Sequence, residues 1–65
     1  MRIEVNGEAR EVQSPTLALV LEELGMADWH VATALNQEFV RAKDRDETKL
    51  AEGDAVEIVS PRQGG

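Results

Sequence analysis

Leu17, Val20, Leu21 and Leu24 recur at helical spacing and make one apolar stripe, from which Glu22 and Glu23 point away. Ser14-Pro15 just before the stripe reads as an N-cap followed by proline at the first helical position, where its missing N–H costs nothing. Gly25 stands where a left-handed C-cap belongs. A helix of about ten residues is not stable alone in water, so the stripe must be buried against something else in the chain. The chain has 65 residues and no cysteine. A chain of that size buries only about 60% of its unfolded surface. Without disulfides, packing around this one helix has to hold the fold.

The segments on either side supply a sheet. Ile3 and Val5 alternate with Arg2 and Glu4, the pattern of a half-buried strand. Asn6-Gly7 follows, the strongest short hairpin signal because a type I′ turn needs positive φ at both central residues, so Glu8 to Gln13 is expected to return antiparallel. After the helix, Val31, Thr33 and Leu35 alternate with Ala32 and Ala34 as a third strand. Asn36-Gln37 ends it, and Glu38 to Arg41 pairs back as a short fourth strand carrying Phe39 and Val40. Gly53-Asp54 marks a further turn, and Ala55 to Ser60, with Val56, Ile58 and Val59, is the most strand-like stretch. The order is hairpin, helix, hairpin, final strand. The expected fold is α+β, a two-layer arrangement of a four- or five-stranded mixed sheet covered on one face by the helix. The long connection between the first and last strands allows them to lie parallel at its centre.

Thirteen acidic and seven basic residues give a formal charge of −6, which disfavours nucleic acid and anionic membranes as partners. The same charge also serves plain solubility. The apolar runs are far too short to span a bilayer, and the reading is a soluble chain of the cytoplasm.

Few side chains offer chemistry. His30 is the only histidine and has no Ser or Cys nucleophile in evidence beside it, so it reads as a surface residue. One histidine and no cysteine leave no metal set. The junction Gln13-Ser14-Pro15 contains no glycine, so a phosphate cradle and unaided ATP binding are not expected. Asp44, Asp46 and Glu47 are interleaved with Arg41, Lys43, Arg45 and Lys49, which reads as charge compensation in a solvated loop or a single helical turn. Trp29, the one tryptophan, reads as a core plug beside the helix end, the competing reading being an exposed anchor for a partner.

One reactive group is left. The chain ends Ser60-Pro61-Arg62-Gln63-Gly64-Gly65. Glycine has no Cβ, so a Gly-Gly end enters a slot too narrow for side chains and offers its carboxylate there. A carboxylate becomes an electrophile only once activated, for instance as a mixed anhydride with a nucleotide. Pro61 lacks an N–H and is expected to separate a paired strand from a free arm. Six extended residues reach on the order of 20 Å. The organisation read here is a domain over residues 1–60 and a flexible tail over 61–65, with Arg62, Gln63 and Gly64 entering a partner's active site and Gly65 reacting. An ordinary polar chain end is the competing reading of the same residues.

Nearly the whole chain resembles the ThiS-type sulfur carrier proteins of thiamine biosynthesis, small β-grasp proteins similar in fold to ubiquitin. The resemblance is carried by Ile3-Glu4-Val5-Asn6-Gly7-Glu8, the helix Thr16 to Gly25, the strand Val31 to Asn36, the stretch Leu50 to Val59 and the terminal Gly64-Gly65. It implies that a ThiF-type enzyme uses ATP to adenylate Gly65, that sulfur is installed as a thiocarboxylate, and that a ThiG-type thiazole synthase receives it. The carrier then supplies no catalytic side chain and binds no cofactor, and the ATP belongs to its partner. With no cysteine of its own, the sulfur must come from a partner's persulfide, fed by a cysteine desulfurase or another donor. Gln37 stands where relatives often carry glycine, Val40 where they often carry proline, and Pro61-Arg62-Gln63 where many are apolar. The sibling molybdopterin-synthase small subunit and ubiquitin-like protein modifiers share the fold and the ending, and they remain the alternatives.

Strand parity adds a docking surface. With Val56 and Ile58 facing the helix, Glu57 and Val59 face outward, and Ala32 and Ala34 of the neighbouring strand complete an apolar patch beside the root of the tail. The competing reading is that these alanines pack under loops.

Overall fold

The computed structural model describes residues 1–27 and 29–60. The proposed tail, Pro61 to Gly65, lies outside the described residues.

The sheet has five strands, β1 Arg2–Val5, β2 Glu8–Glu11, β3 Ala32–Leu35, β4 Glu38–Val40 and β5 Ala55–Val59, in the order β2-β1-β5-β3-β4. Both hairpins are antiparallel, β5 runs antiparallel to β3, and the central β1–β5 pair is parallel. This is the expected mixed sheet, with the last strand between the two hairpins. The one α-helix among the described residues, α1 Leu17–Glu23, covers one face. Its Leu17, Val20 and Leu21 are buried with Ile3, Val5, Val12, Val56 and Ile58, while Leu24, Met26 and Leu50 pack against this core from the side.

The helix ends as its glycine predicts. Gly25 has φ +80, its N–H donates to the Glu22 carbonyl at 3.0 Å, and the Met26 N–H reaches back to the Leu21 carbonyl at 2.7 Å. These are the paired bonds of a Schellman cap. The start differs from expectation. Thr16, not Ser14, is the N-cap, its Oγ1 accepting from the Leu19 N–H at 3.3 Å. Tertiary contacts outcompete the Ser-Pro signal here. The Ser14 hydroxyl donates to Glu23 Oε1 at 2.7 Å, and the Pro15 carbonyl accepts from the Leu50 N–H at 2.9 Å. Those bonds hold residues 14–16 off the helix. Strand β2 is likewise shorter than Glu8 to Gln13, because Val12 leaves the strand to fill the core while its N–H donates to the Met1 carbonyl at 2.8 Å.

Two further readings are corrected. Trp29 is 56% exposed and is no core plug. The charged segment is helical, one of its two expected forms, as a 3-10 helix Ala42–Glu47, but Arg45 is not there for charge compensation: it ties this helix to the sheet. Arg45 Nε donates to Thr33 Oγ1 at 3.0 Å and its terminal nitrogen to the Val31 carbonyl at 2.6 Å. Arg45 is therefore a structural anchor, whereas Arg41 does pair with Asp44 at 3.3 Å as charge compensation requires.

The Glu23 carboxylate, at the end of α1, receives the Ser14 hydroxyl and the N–H groups of Gln13 and Ser14. The Ser14 hydroxyl bond, followed by the Gln13 amide, holds its pKa below the ordinary value of 4.5. A depressed folded-state pKa means that the unfolded chain takes up its proton first as pH falls. The stabilisation is thus complete above the ordinary value and disappears as pH drops through the folded one. In urea titrations the stability advantage of the native protein over Glu23→Gln should be constant at neutral pH and shrink progressively below pH 4.5.

Both hairpin turns use positive φ, with Asn6 at 52 and Gly7 at 86 in the first, and Asn36 at 51 and Gln37 at 73 in the second. Asparagine tolerates this region, but for glutamine it is strained by roughly 1–2 kcal/mol. Gln37→Gly should raise the unfolding free energy by about 0.5–1 kcal/mol, after allowance for the greater backbone freedom glycine gives the unfolded chain, as read from a shifted urea midpoint at unchanged slope.

Candidate functional site at the open sheet face

The face of the sheet away from α1 is uncovered by any helix among the described residues. The register decides what it displays. Ala32 lies opposite Val59 and Ala34 opposite Glu57, so the four predicted docking residues share this face as two adjacent pairs. Val56 and Ile58 are buried toward the helix, as parity required. Val59 is 60% exposed, Glu57 and Ala32 are exposed, and Ala34 is half-buried. Ala32, at least, does not pack under a loop.

Phe39 extends the patch. It lies opposite Ala34 in the β3–β4 pair and is 69% exposed. Its neighbour Val40 is half-buried against the core, opposite the buried Thr33. The sequence places Phe39 on a strand without giving it a face. Alternation across the Asn36-Gln37 turn carried the missing signal, because once Thr33 points inward, its partner Val40 does too and Phe39 must point out. The result is an apolar strip from Phe39 through Ala34 and Ala32 to Val59, one residue before Ser60. Glu57, and Glu4 opposite Ala55 on the same face, give it an acidic flank. An exposed phenylalanine and valine with small residues between them suit a flat partner surface.

A shallow open depression of about 340 Å³ lies at the start of β3, lined by Trp29, His30, Val31, Ala32, Ala42 and Arg45. His30 is exposed. Among the described residues no group of three His, Cys, Asp or Glu side chains could hold a metal ion. No helix among them is long and apolar enough to cross a membrane. The predicted reacting residue Gly65, with Gly64, Gln63 and Arg62, lies outside the described residues, but the described chain brings β5 to Ser60 at the edge of the apolar strip.

Because Phe39 and Val59 bury little in the folded chain, Phe39→Thr and Val59→Thr, which keep strand propensity, should each change unfolding free energy by less than about 0.5 kcal/mol in denaturant titrations.

Comparison with known proteins agrees with this fold. The family model described as "ThiS family" matches residues 3–65. The sulfur carrier protein ThiS of Thermus thermophilus is 41% identical over 61 residues, covering 94% of this chain and 95% of that one. The crystal structure of the thiamine biosynthesis protein ThiS from Geobacter metallireducens superposes with a TM-score of 0.84 at 30% identity over the full length of both chains. A solution structure of a thiamine biosynthesis protein from the same organism gives 0.79 at 30% identity, covering all of this chain and 88% of that one. With its ubiquitin-like β-grasp fold, the chain belongs to the ThiS family.

Proposed function

We propose that this protein is a sulfur carrier of thiamine biosynthesis and acts in the cytoplasm as a co-substrate of partner enzymes. The observation that carries the reading is a family match that runs through residue 65 and so includes the Gly64-Gly65 ending. In this reading the Gly65 carboxylate attacks the α-phosphorus of ATP within a ThiF-type enzyme, and pyrophosphate leaves. A persulfide sulfur on a partner then attacks the acyl carbon and AMP departs. A second thiol takes up the persulfide's other sulfur, leaving a thiocarboxylate at Gly65 for a ThiG-type thiazole synthase. The persulfide is supplied by a cysteine desulfurase or another donor.

The chain's own contribution is presentation. With no cysteine in the chain, the sulfur and the groups that arrange activation and attack are supplied by the partner. The open face supports a docking role, with Phe39, Ala34, Ala32 and Val59 as the apolar contact and Glu57 as an acidic neighbour that suits a basic rim. Arg62, Gln63 and Gly64 then enter the partner's channel ahead of the reacting end.

Incubation with a ThiF-type enzyme, ATP, cysteine and a cysteine desulfurase should give a mass gain equal to the replacement of one oxygen by sulfur, read by intact-mass analysis. Deleting Gly64 and Gly65 should abolish the gain without lowering thermal stability. Phe39→Thr and Val59→Thr should slow modification while leaving the fold unchanged. Absence of the gain with intact, folded protein and a competent enzyme pair would sink the carrier reading, and conjugates of higher mass on lysines would favour a protein modifier instead.

A further inference from the structure

Strand β5 outruns its partner on one side. Its pairing with β1 ends at Val5 opposite Val56, because Asn6 opens the turn that carries the backbone away toward β2. On the other side, pairing with β3 continues to Ala32 opposite Val59. Residues of β5 alternate in the direction of their backbone groups. The Ala55 carbonyl accepts from Asn36 on the β3 side, whereas the Val56 carbonyl accepts from the Asn6 N–H at 2.9 Å on the β1 side. The N–H and C=O of Ile58 therefore also face the β1 side, at a level where β1 has no residue left. Ile58 is buried, and an unmet pair of backbone groups there would be costly.

The Asn6 side chain fills the gap. Its Oδ1 accepts from the Ile58 N–H at 2.8 Å and its Nδ2 donates to the Ile58 carbonyl at 3.1 Å. A carboxamide offers a donor and an acceptor in one plane, as a peptide group does, so the side chain supplies the rung that the departing backbone cannot. A similar device operates at the other end of β5, where Asn36 Oδ1 accepts from the Ala55 N–H at 2.9 Å and its Nδ2 donates to Asp54 Oδ1 at 3.2 Å. Only the Asn6 latch lies at the end from which the tail departs.

We propose that Asn6 is a positioning residue for sulfur loading: its carboxamide clamps Ile58, two residues before Ser60, and so fixes the position and heading of the chain at Ser60, the last described residue before Gly65. The inference rests on the carrier reading, since the heading matters only if Gly65 must enter a partner's site. A fixed root lowers the ordering cost of insertion, so the effect should fall on KM, with kcat, set after insertion, little changed.

Asn6→Gly isolates the latch, because Gly-Gly still satisfies a type I′ turn while the carboxamide is gone. Asn6→Asp keeps an acceptor for the Ile58 N–H but turns a carboxylate oxygen toward the Ile58 carbonyl. In full-length Asn6→Gly, amide exchange at Ile58 should accelerate about tenfold relative to the β1–β2 amides, the scale set by losing one or two buried hydrogen bonds, and in Asn6→Asp, which loses only the bond to the Ile58 carbonyl, by less. In Asn6→Gly, nitrogen-15 relaxation should show Val59 and Ser60 loosened, and KM for adenylation by a ThiF-type enzyme should rise about fivefold to tenfold with kcat within about twofold. Unchanged exchange at Ile58 in Asn6→Gly would show that the latch does not form. Faster exchange with unchanged Ser60 relaxation and unchanged KM would reduce it to a structural contact and overturn the positioning role. If the native protein itself is not adenylated, the carrier reading fails separately, and Ser60 relaxation still decides whether Asn6 fixes the root.

Discussion

The fold depends on burying a seven-residue helix that could not exist by itself. Leu17, Val20 and Leu21 are buried with Ile3 and Val5 of β1 and Val56 and Ile58 of β5, the two central strands, while Val12, Leu35, Val40 and Leu50 close the sides. One helix covers one sheet face, and among the described residues no helix lies over the other. The residues on that face, Phe39, Ala34, Ala32 and Val59, are therefore held on a packed frame and left in contact with solvent.

Much of this arrangement is legible in the residues because local and global signals agree. The Asn6-Gly7 turn, the leucine stripe, the Gly25 cap and the β-branched final strand each dictate one piece, and parity then assigns faces across β3 and β5. Where local signals mislead, a distant partner has outbid them. Ser14-Pro15 looks like a helix start, but Glu23 and Leu50, nine and thirty-five residues away respectively, claim the groups involved. Arg45 looks like one charge among many until its guanidinium is found on the Val31 carbonyl and the Thr33 hydroxyl. No periodicity in the charged segment encodes that reach. Trp29 is the reverse case, a large apolar side chain that composition would place inside and that a connector beside an already filled core leaves outside.

The candidate site divides in the same way. Its strand residues follow from alternation alone, and Phe39 needed only the register of one hairpin to be added. The Asn6 latch was not legible at all. In the sequence, asparagine before glycine is fully explained as a turn former, and nothing signals that its side chain also serves a strand fifty-two residues away. A residue already accounted for by backbone geometry is where a second role is easiest to overlook.

The strand that leads to the tail is also the strand that completes the sheet. β5 joins β1 to β3, and both of its pairings are long-range in sequence, so the two hairpins cannot share a core until it docks between them. Loss of β5 from its slot would remove Val56 and Ile58 from the core at the same moment as it released the residues leading to Ser60. Integrity of the core and the placement of Ser60 are therefore one cooperative event, because the same strand carries both.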